Sequence, residues 1–249
     1  MENPINNKKI VEKIANNENA NFYLINKDLG FPSFSIIHKI RKITGLKKVG
    51  FSGTLDPLAT GLMIIATSSA TKFLDAFHFL GKTYITTIEL GKTSDTFDKE
   101  GNISIKEVSK KPSKKEISII INKHFTGPIM QTPPIFSAKK MKGIRLYEMA
   151  RDNKTPDIKP VEINIEKIKI LKYKYPILTL EICCSKGTYI RSIANDLGEK
   201  LDTGAMLIAL ERTKIGRFDL KKSIDVKDIS PTTLEKKKLK IQDIVKKIK

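Results

Sequence analysis

Apolar positions change their period several times along the chain, and each change predicts an element. Ile36, Ile37, Ile40 and Ile43 recur at helical spacing after Ser33, which is able to cap a helix, and Gly45 stops the run. Residues 22–25 read as a strand, and the unbroken apolar run Leu62 to Ala66 is short enough for a buried one. A helix is expected from about Ser69 to Leu80, closed by Gly81. The β-branched and aromatic side chains from Thr83 to Leu90 predict a further strand, leading into a polar turn, Gly91 to Gly101, that holds Asp95 and Asp98.

Pro112-Ser113-Lys114-Lys115-Glu116 carries a capping-box pattern, so a helix runs to about Lys123 and Gly127-Pro128 ends it. Pro133-Pro134 keeps 131–142 out of regular helix, whereas Arg145 to Arg151 is helical and Pro156 and Pro160 bracket a break. Val161 to Leu171 alternates apolar and polar residues, the mark of a strand with one wet face, and Ile177 to Cys184 pairs with it through a Tyr175-Pro176 turn. Gly187 precedes a helix over 189–201, and 205–210 and 215–220 read as two last strands. The mixture is α+β. Residues 1–20 read as a polar arm with a weak Ile10, Val11, Ile14 stripe, 21–224 as the folded domain, and 225–249 as a short basic appendage.

Composition narrows the partners. Lys and Arg number 46 against 27 Asp and Glu, a formal charge of +19, which favours a polyanion. An anionic membrane would call for a long apolar span or a basic amphipathic anchor, and neither pattern is evident; the start Met1-Glu2-Asn3-Pro4 lacks a signal-peptide layout. The expectation is a cytoplasmic protein. Lysine- and asparagine-rich composition also arises from genome bias, so charge alone leaves nucleic-acid binding open. Cys183 and Cys184 are adjacent, which excludes a Cys-x-x-Cys site, and His38, His78 and His124 are scattered, so no metal is expected.

Candidate chemistry centres on Asp56. Glycines at 53 and 61 bound its segment, and Pro57 pushes Asp56 away from helical geometry, giving a sharp loop between two strands. Alone, Asp-Pro reads as an ordinary turn. The surrounding string changes this: Lys48-Val49-Gly50-Phe51-Ser52-Gly53-Thr54-Leu55-Asp56-Pro57-Leu58-Ala59-Thr60-Gly61-Leu62 resembles the catalytic motif of the bacterial tRNA pseudouridine-55 synthases, the TruB family. Lys27-Asp28-Leu29-Gly30 is similar to the family's Lys-Pro-x-Gly, Lys82-Thr83-Tyr84 to its Lys-x-Tyr strand, and Gly91-Lys92-Thr93-Ser94-Asp95-Thr96-Phe97-Asp98 to its following turn. Gln131-Thr132-Pro133-Pro134-Ile135-Phe136-Ser137-Ala138 and Ser185-Lys186-Gly187-Thr188-Tyr189-Ile190-Arg191 continue the agreement. Six ordered segments at plausible spacing leave coincidence a poor explanation.

The resemblance implies a pseudouridine-synthase fold, a central mixed and mostly antiparallel sheet flanked by helices with the active cleft across its middle. It implies a reaction that detaches uracil at N1–C1′, turns the base and rejoins it through C5, with no cofactor. Asp56 would be the catalytic carboxylate, whether it attacks the sugar, adds to the base or removes a sugar proton. Arg191 would pair with it and keep it ionised; without the motif, Arg191 on a helix's first turn reads as a solvated charge. Tyr84 would stack on the flipped base and take part in C5 deprotonation, and Tyr189 and Leu210 would line the uracil pocket, although without the motif Tyr84 reads as half-buried strand packing and Leu210 as core. Lys139, Lys140, Lys142 and Arg145, with Lys27, Lys47 and Lys48, are candidates for an RNA-facing rim.

Two positions depart from the family. Phe51 stands where relatives carry His, which removes a polar role but keeps a ring able to wedge or stack against loop bases, and Asp28 replaces the family's Pro. Many relatives carry a C-terminal RNA-binding domain where this chain has the basic tail, ten lysines against four acids from Lys221 to Lys249. The implied partner is the T-arm of tRNA, bound without guide RNA by a monomer. The rival readings are a non-catalytic basic RNA-binding or RNA-folding protein and a guide-RNA-dependent synthase. If lysine–phosphate contacts dominate, affinity for a tRNA transcript falls at least about tenfold between roughly 50 and 200 mM salt in a filter-binding titration; a salt-independent Kd contradicts this.

Overall fold

In the computed structural model, the described residues are 8–137, 139–141, 143–152 and 156–248. The chain divides into two units, one formed by Met1–Tyr84 and Glu211–Lys249, the other by Ile85–Leu210.

In the first unit, strand Ala59–Thr67 contains the apolar run and is buried along almost all of its length. It pairs antiparallel with Phe22–Lys27, from Phe22↔Ala66 to Lys27↔Gly61, and with Val49–Ser52, from Val49↔Thr67 to Ser52↔Ile64. One parallel pairing, Ile25↔Ile224, adds a short strand, so the sheet is mixed as expected. Helix Ser33–Thr44 stops at Gly45, whose φ of 70° lets its amide reach the Arg41 carbonyl. Its start differs from expectation: Pro32 precedes the helix and Ser33 is its first residue, with the Ser33 hydroxyl engaged elsewhere. The helix expected over 69–80 is a 3-10 segment, Ser68–Phe73, followed by α-helix Leu74–His78.

The core of this unit gathers Phe22, Phe73, Phe77 and Phe218, packed edge to face at centroid separations of 5.5–6.2 Å. Helices from the N-terminal and C-terminal segments contribute to it. Helices Lys8–Ala15 and Ile241–Ile248 bury Ile14, Ile241 and Ile244 in the same cluster, so 8–15 and 241–248 differ from the arm and appendage that the polar composition of 1–20 and 225–249 suggested. A narrow isoleucine stripe was hidden among the lysines.

In the second unit, Val161–Lys174 and Ile177–Cys184 form the expected antiparallel hairpin, with bulges after Ile165 and Ile170. A strand absent from the sequence reading, Gly127–Gln131, pairs with the other edge, from Val161↔Gln131 to Ile165↔Gly127. Gly127-Pro128 had read as a helix stop, but an edge strand tolerates proline. The capping box closes as expected, Glu116 N to Ser113 Oγ at 3.2 Å and Ser113 N to Glu116 Oε2 at 2.6 Å. Ala205–Ile215 is one strand instead of the end of one and the start of another. Its polar stretch Glu211-Arg212-Thr213-Lys214 suggested a break, yet Arg212 is buried and Thr213 Oγ1 donates to the Thr83 carbonyl at 3.2 Å.

Packing of the last helix generates the first structural prediction. Ile244 is fully buried, so Ile244→Ala should cost about 2–5 kcal/mol in denaturant unfolding. A change below about 0.5 kcal/mol would return the tail to a surface appendage.

Candidate active site

Strand Val49–Ser52 delivers the chain to Gly53, whose φ of 71° turns it into the Asp56 loop. Leu55 and Leu58 are buried, anchoring the loop on both sides of Asp56, which is itself half-buried. The Asp56 carbonyl accepts from Ala59 N at 3.0 Å, closing a tight turn before the central strand begins. The Ser33 hydroxyl clasps Leu55 twice, accepting from its amide at 3.0 Å and donating to its carbonyl at 2.8 Å. Gly30 N donates to the Pro57 carbonyl at 2.9 Å.

Lys27 lies beneath this loop, not on the RNA-facing rim where the sequence reading put it. It is fully buried, and its ammonium donates to the carbonyls of Phe31 at 2.7 Å, Asp28 at 3.0 Å and Pro57 at 3.3 Å. An uncompensated buried ammonium is costly, and here its three donors meet three carbonyls. Lys47 and Lys48 are exposed, as a rim requires. Phe51 sits half-buried on its strand opposite Ile65.

Arg212 is the residue that sequence reasoning missed. It is 2% exposed, and its guanidinium donates from Nε to the Leu62 carbonyl at 2.8 Å and from Nη2 to the Gly53 carbonyl at 3.0 Å. One side chain therefore joins the start of the Asp56 loop to the strand that follows it. Gly61, with φ of 105°, permits this: a Cβ there would lie 2.4 Å from the Arg212 carbonyl oxygen. Burial pushes the Arg212 guanidinium down from its usual value, while charge attraction and a hydrogen bond to Tyr84 push it back up. Tyr84, 9% exposed on strand Lys82–Leu90, is thus tied to the same guanidinium as the loop.

The second unit holds the remaining candidates. Tyr189 immediately precedes helix Ile190–Lys200, and the buried side chain of Gln131 fixes its backbone, Tyr189 N to Oε1 at 2.8 Å and Nε2 to the Tyr189 carbonyl at 3.0 Å. Arg191 is 6% exposed, which sets aside the solvated-charge reading. Its Nη1 donates to the Thr96 carbonyl at 3.0 Å, its Nη2 to the Phe136 carbonyl at 2.9 Å, and its Nε lies 3.6 Å from Asp98 Oδ2. Asp98, read from sequence only as part of a turn, is a buried partner of Arg191 and also accepts from Thr96 Oγ1 at 2.7 Å. Leu210 is buried on strand Ala205–Ile215. Lys140 and Arg145 are exposed on the hairpin of 140–141 and 144–145, Lys139 is half-buried, and Lys142 lies outside the described residues.

Among the described residues no group of three or more His, Cys, Asp or Glu could hold a metal ion, and no helix is long and apolar enough to cross a membrane. What the first unit offers is a carboxylate on a loop fixed by buried cations, with a tyrosine hydroxyl on one of them.

Residues 41–190 match the family model described as the TruB family pseudouridylate synthase, N-terminal domain. The chain belongs to this family. Its members include a tRNA pseudouridine synthase B of Parabacteroides distasonis, 39% identical over 224 residues that cover 88% of this chain and 94% of that one. Another of the same name, from Mycoplasma mobile, is 43% identical over 206 residues covering 82% and 71%. Among solved structures, a Cbf5-Nop10-Gar1 complex aligns with a TM-score of 0.71 at 22% identity, covering 94% of this chain and 63% of that chain. The H/ACA RNP bound to a substrate RNA containing 2'-deoxyuridine aligns at 0.68 and 20%, covering 90% and 60%. This chain thus spans about three fifths of the length of those two, and at such identity they establish the shared fold.

Proposed function

We propose that this protein isomerises a uridine of tRNA, the T-loop uridine at position 55, to pseudouridine, with Asp56 as the catalytic carboxylate. The observation that carries the reading is the Asp56 loop: a family-motif carboxylate, half-buried, whose flanking backbone is held by Ser33, Lys27 and Arg212. A carboxylate positioned before substrate arrives contributes by proximity and orientation.

The reaction breaks N1–C1′, turns the base and forms C5–C1′; the C5 proton is lost and N1 gains one. Atoms and electrons balance within the nucleoside, so no cofactor enters. A uridine inside a folded loop must first be extruded, at a cost of about a few kcal/mol that phosphate contacts and stacking offset. Tyr84 is assigned to stack on the extruded uracil and to act at C5, Tyr189 and Leu210 to line its pocket, and Phe51 to meet loop bases. Arg191, whose guanidinium meets Asp98 at 3.6 Å, is assigned also to hold Asp56 ionised. Exposed Lys47, Lys48, Lys140 and Arg145 supply phosphate contacts.

The enzyme acts as a monomer on the T-arm, in the cytoplasm with its substrate. The relatives at 39–43% identity bear the name of a tRNA enzyme, which favours this over guide-RNA-dependent action. The test is tritium release from a tRNA transcript labelled at uracil C5, followed by mapping of the modified nucleotide. Wild type should release tritium and place pseudouridine at position 55, and Asp56→Asn should release none above background. Release at the wild-type rate from Asp56→Asn would remove Asp56 from the mechanism, and no release from wild type would favour the non-catalytic RNA-binding rival.

A further inference from the structure

We propose that Arg212 is a positioning residue for the isomerisation, one buried guanidinium that sets the Asp56 loop and the Tyr84 hydroxyl relative to each other. The inference rests on the assignment of Asp56 and Tyr84 to the chemistry and adds a residue that touches neither substrate nor reacting atoms.

Three observations carry it. First, Arg212 bonds the start of the loop and the strand that follows it, Gly53 O at 3.0 Å and Leu62 O at 2.8 Å, while the nine-residue step between those positions contains Asp56. A fork of donors in one plane fixes the separation of two carbonyls in a way that a single donor does not. Second, the approach is built in from the strand side. Gly61 is packed against the Arg212 backbone where a Cβ would stand 2.4 Å from its carbonyl oxygen, and a Cβ on Gly53 would stand 3.3 Å from Nη1. Third, Tyr84 acts on the same guanidinium, raising it against the lowering effect of burial. Carboxylate loop and tyrosine thus share a rigid, permanently charged hub, although they lie on different elements.

Simple core packing makes poor use of such a group. Strand position 212 shares its inward face with Leu210 and would accept an aliphatic side chain without the desolvation of a charge. The retained charge is explained if displacement of the loop or the tyrosine by about an ångström is what the enzyme must prevent, because misplacement on that scale costs about a hundredfold in rate.

The test compares wild type, Arg212→Lys and Arg212→Gln in single-turnover pseudouridine formation at saturating enzyme, beside tRNA affinity and thermal melting. Arg212→Lys keeps a cation but loses the planar fork. Arg212→Gln keeps one donor and sheds the buried charge, so it guards against loss of the fold. The expected result is a folded variant whose tRNA Kd stays within about threefold of wild type while its single-turnover rate falls about a hundredfold. A folded variant of either kind with the wild-type rate overturns the proposal, as does a rate loss explained by weaker tRNA binding. If neither variant folds, the guanidinium belongs to stability and the proposal is likewise overturned. Asp56→Asn in the same assay separates the two claims. If that variant is inactive while the Arg212 variants run at wild-type rate, Arg212 alone is misassigned; if Asp56→Asn is active, the underlying assignment fails.

Discussion

Two buried cations set the conditions for the rest of the site. Lys27 and Arg212 are each 2% exposed or less, and the partners described for them include the backbone carbonyls of Asp28, Phe31, Gly53, Pro57 and Leu62. A buried charge demands hydrogen-bonded compensation. Two carbonyls of the Asp56 segment, those of Gly53 and Pro57, provide part of it, so moving the loop costs each cation a hydrogen bond. The clasp at Ser33 and the turn at Ala59 complete the restraint. Asp56, half-buried between anchored leucines, inherits its position from these groups.

What could be read from sequence follows the range of the interaction. The Gly45 stop and the Ser113–Glu116 box are local, formed within four residues, and both are as expected. Arg212 escaped because its contacts join backbone atoms 150 and 159 residues away, and a carbonyl leaves no mark on the sequence; the burial of Lys27 likewise involves the Pro57 carbonyl, 30 residues on. A signal for Arg212 did exist: had the strand been continued past Leu210, period-two alternation would have placed Arg212 on the inward face. The four polar residues 211–214 argued for a break instead. In the same way the lysines of the C-terminal segment masked Ile241 and Ile244, which complete the aromatic core around Phe22 and Phe77.

Membership of the TruB family accounts for the Asp56, Tyr84 and Arg191 segments together, and the structure gives each a defined surrounding. Arg191 is the clearest case of a residue whose setting changes its meaning. A first-turn arginine is ordinarily solvated, but this one is buried against Asp98 and the carbonyls of Thr96 and Phe136. Phe51 is half-buried on the strand that feeds the Asp56 loop.

The central claim is that the Asp56 loop is fixed before substrate binds, and amide hydrogen exchange of the free protein tests it most directly. Leu55 N is bonded to Ser33 Oγ, Ala59 N to Asp56 O and Gly30 N to Pro57 O. The account predicts that these three amides exchange as slowly as those of the central strand Ala59–Thr67, opening only with the unit as a whole. Exchange at the rate of an unrestrained surface loop, with protection gained only on adding tRNA, would contradict it.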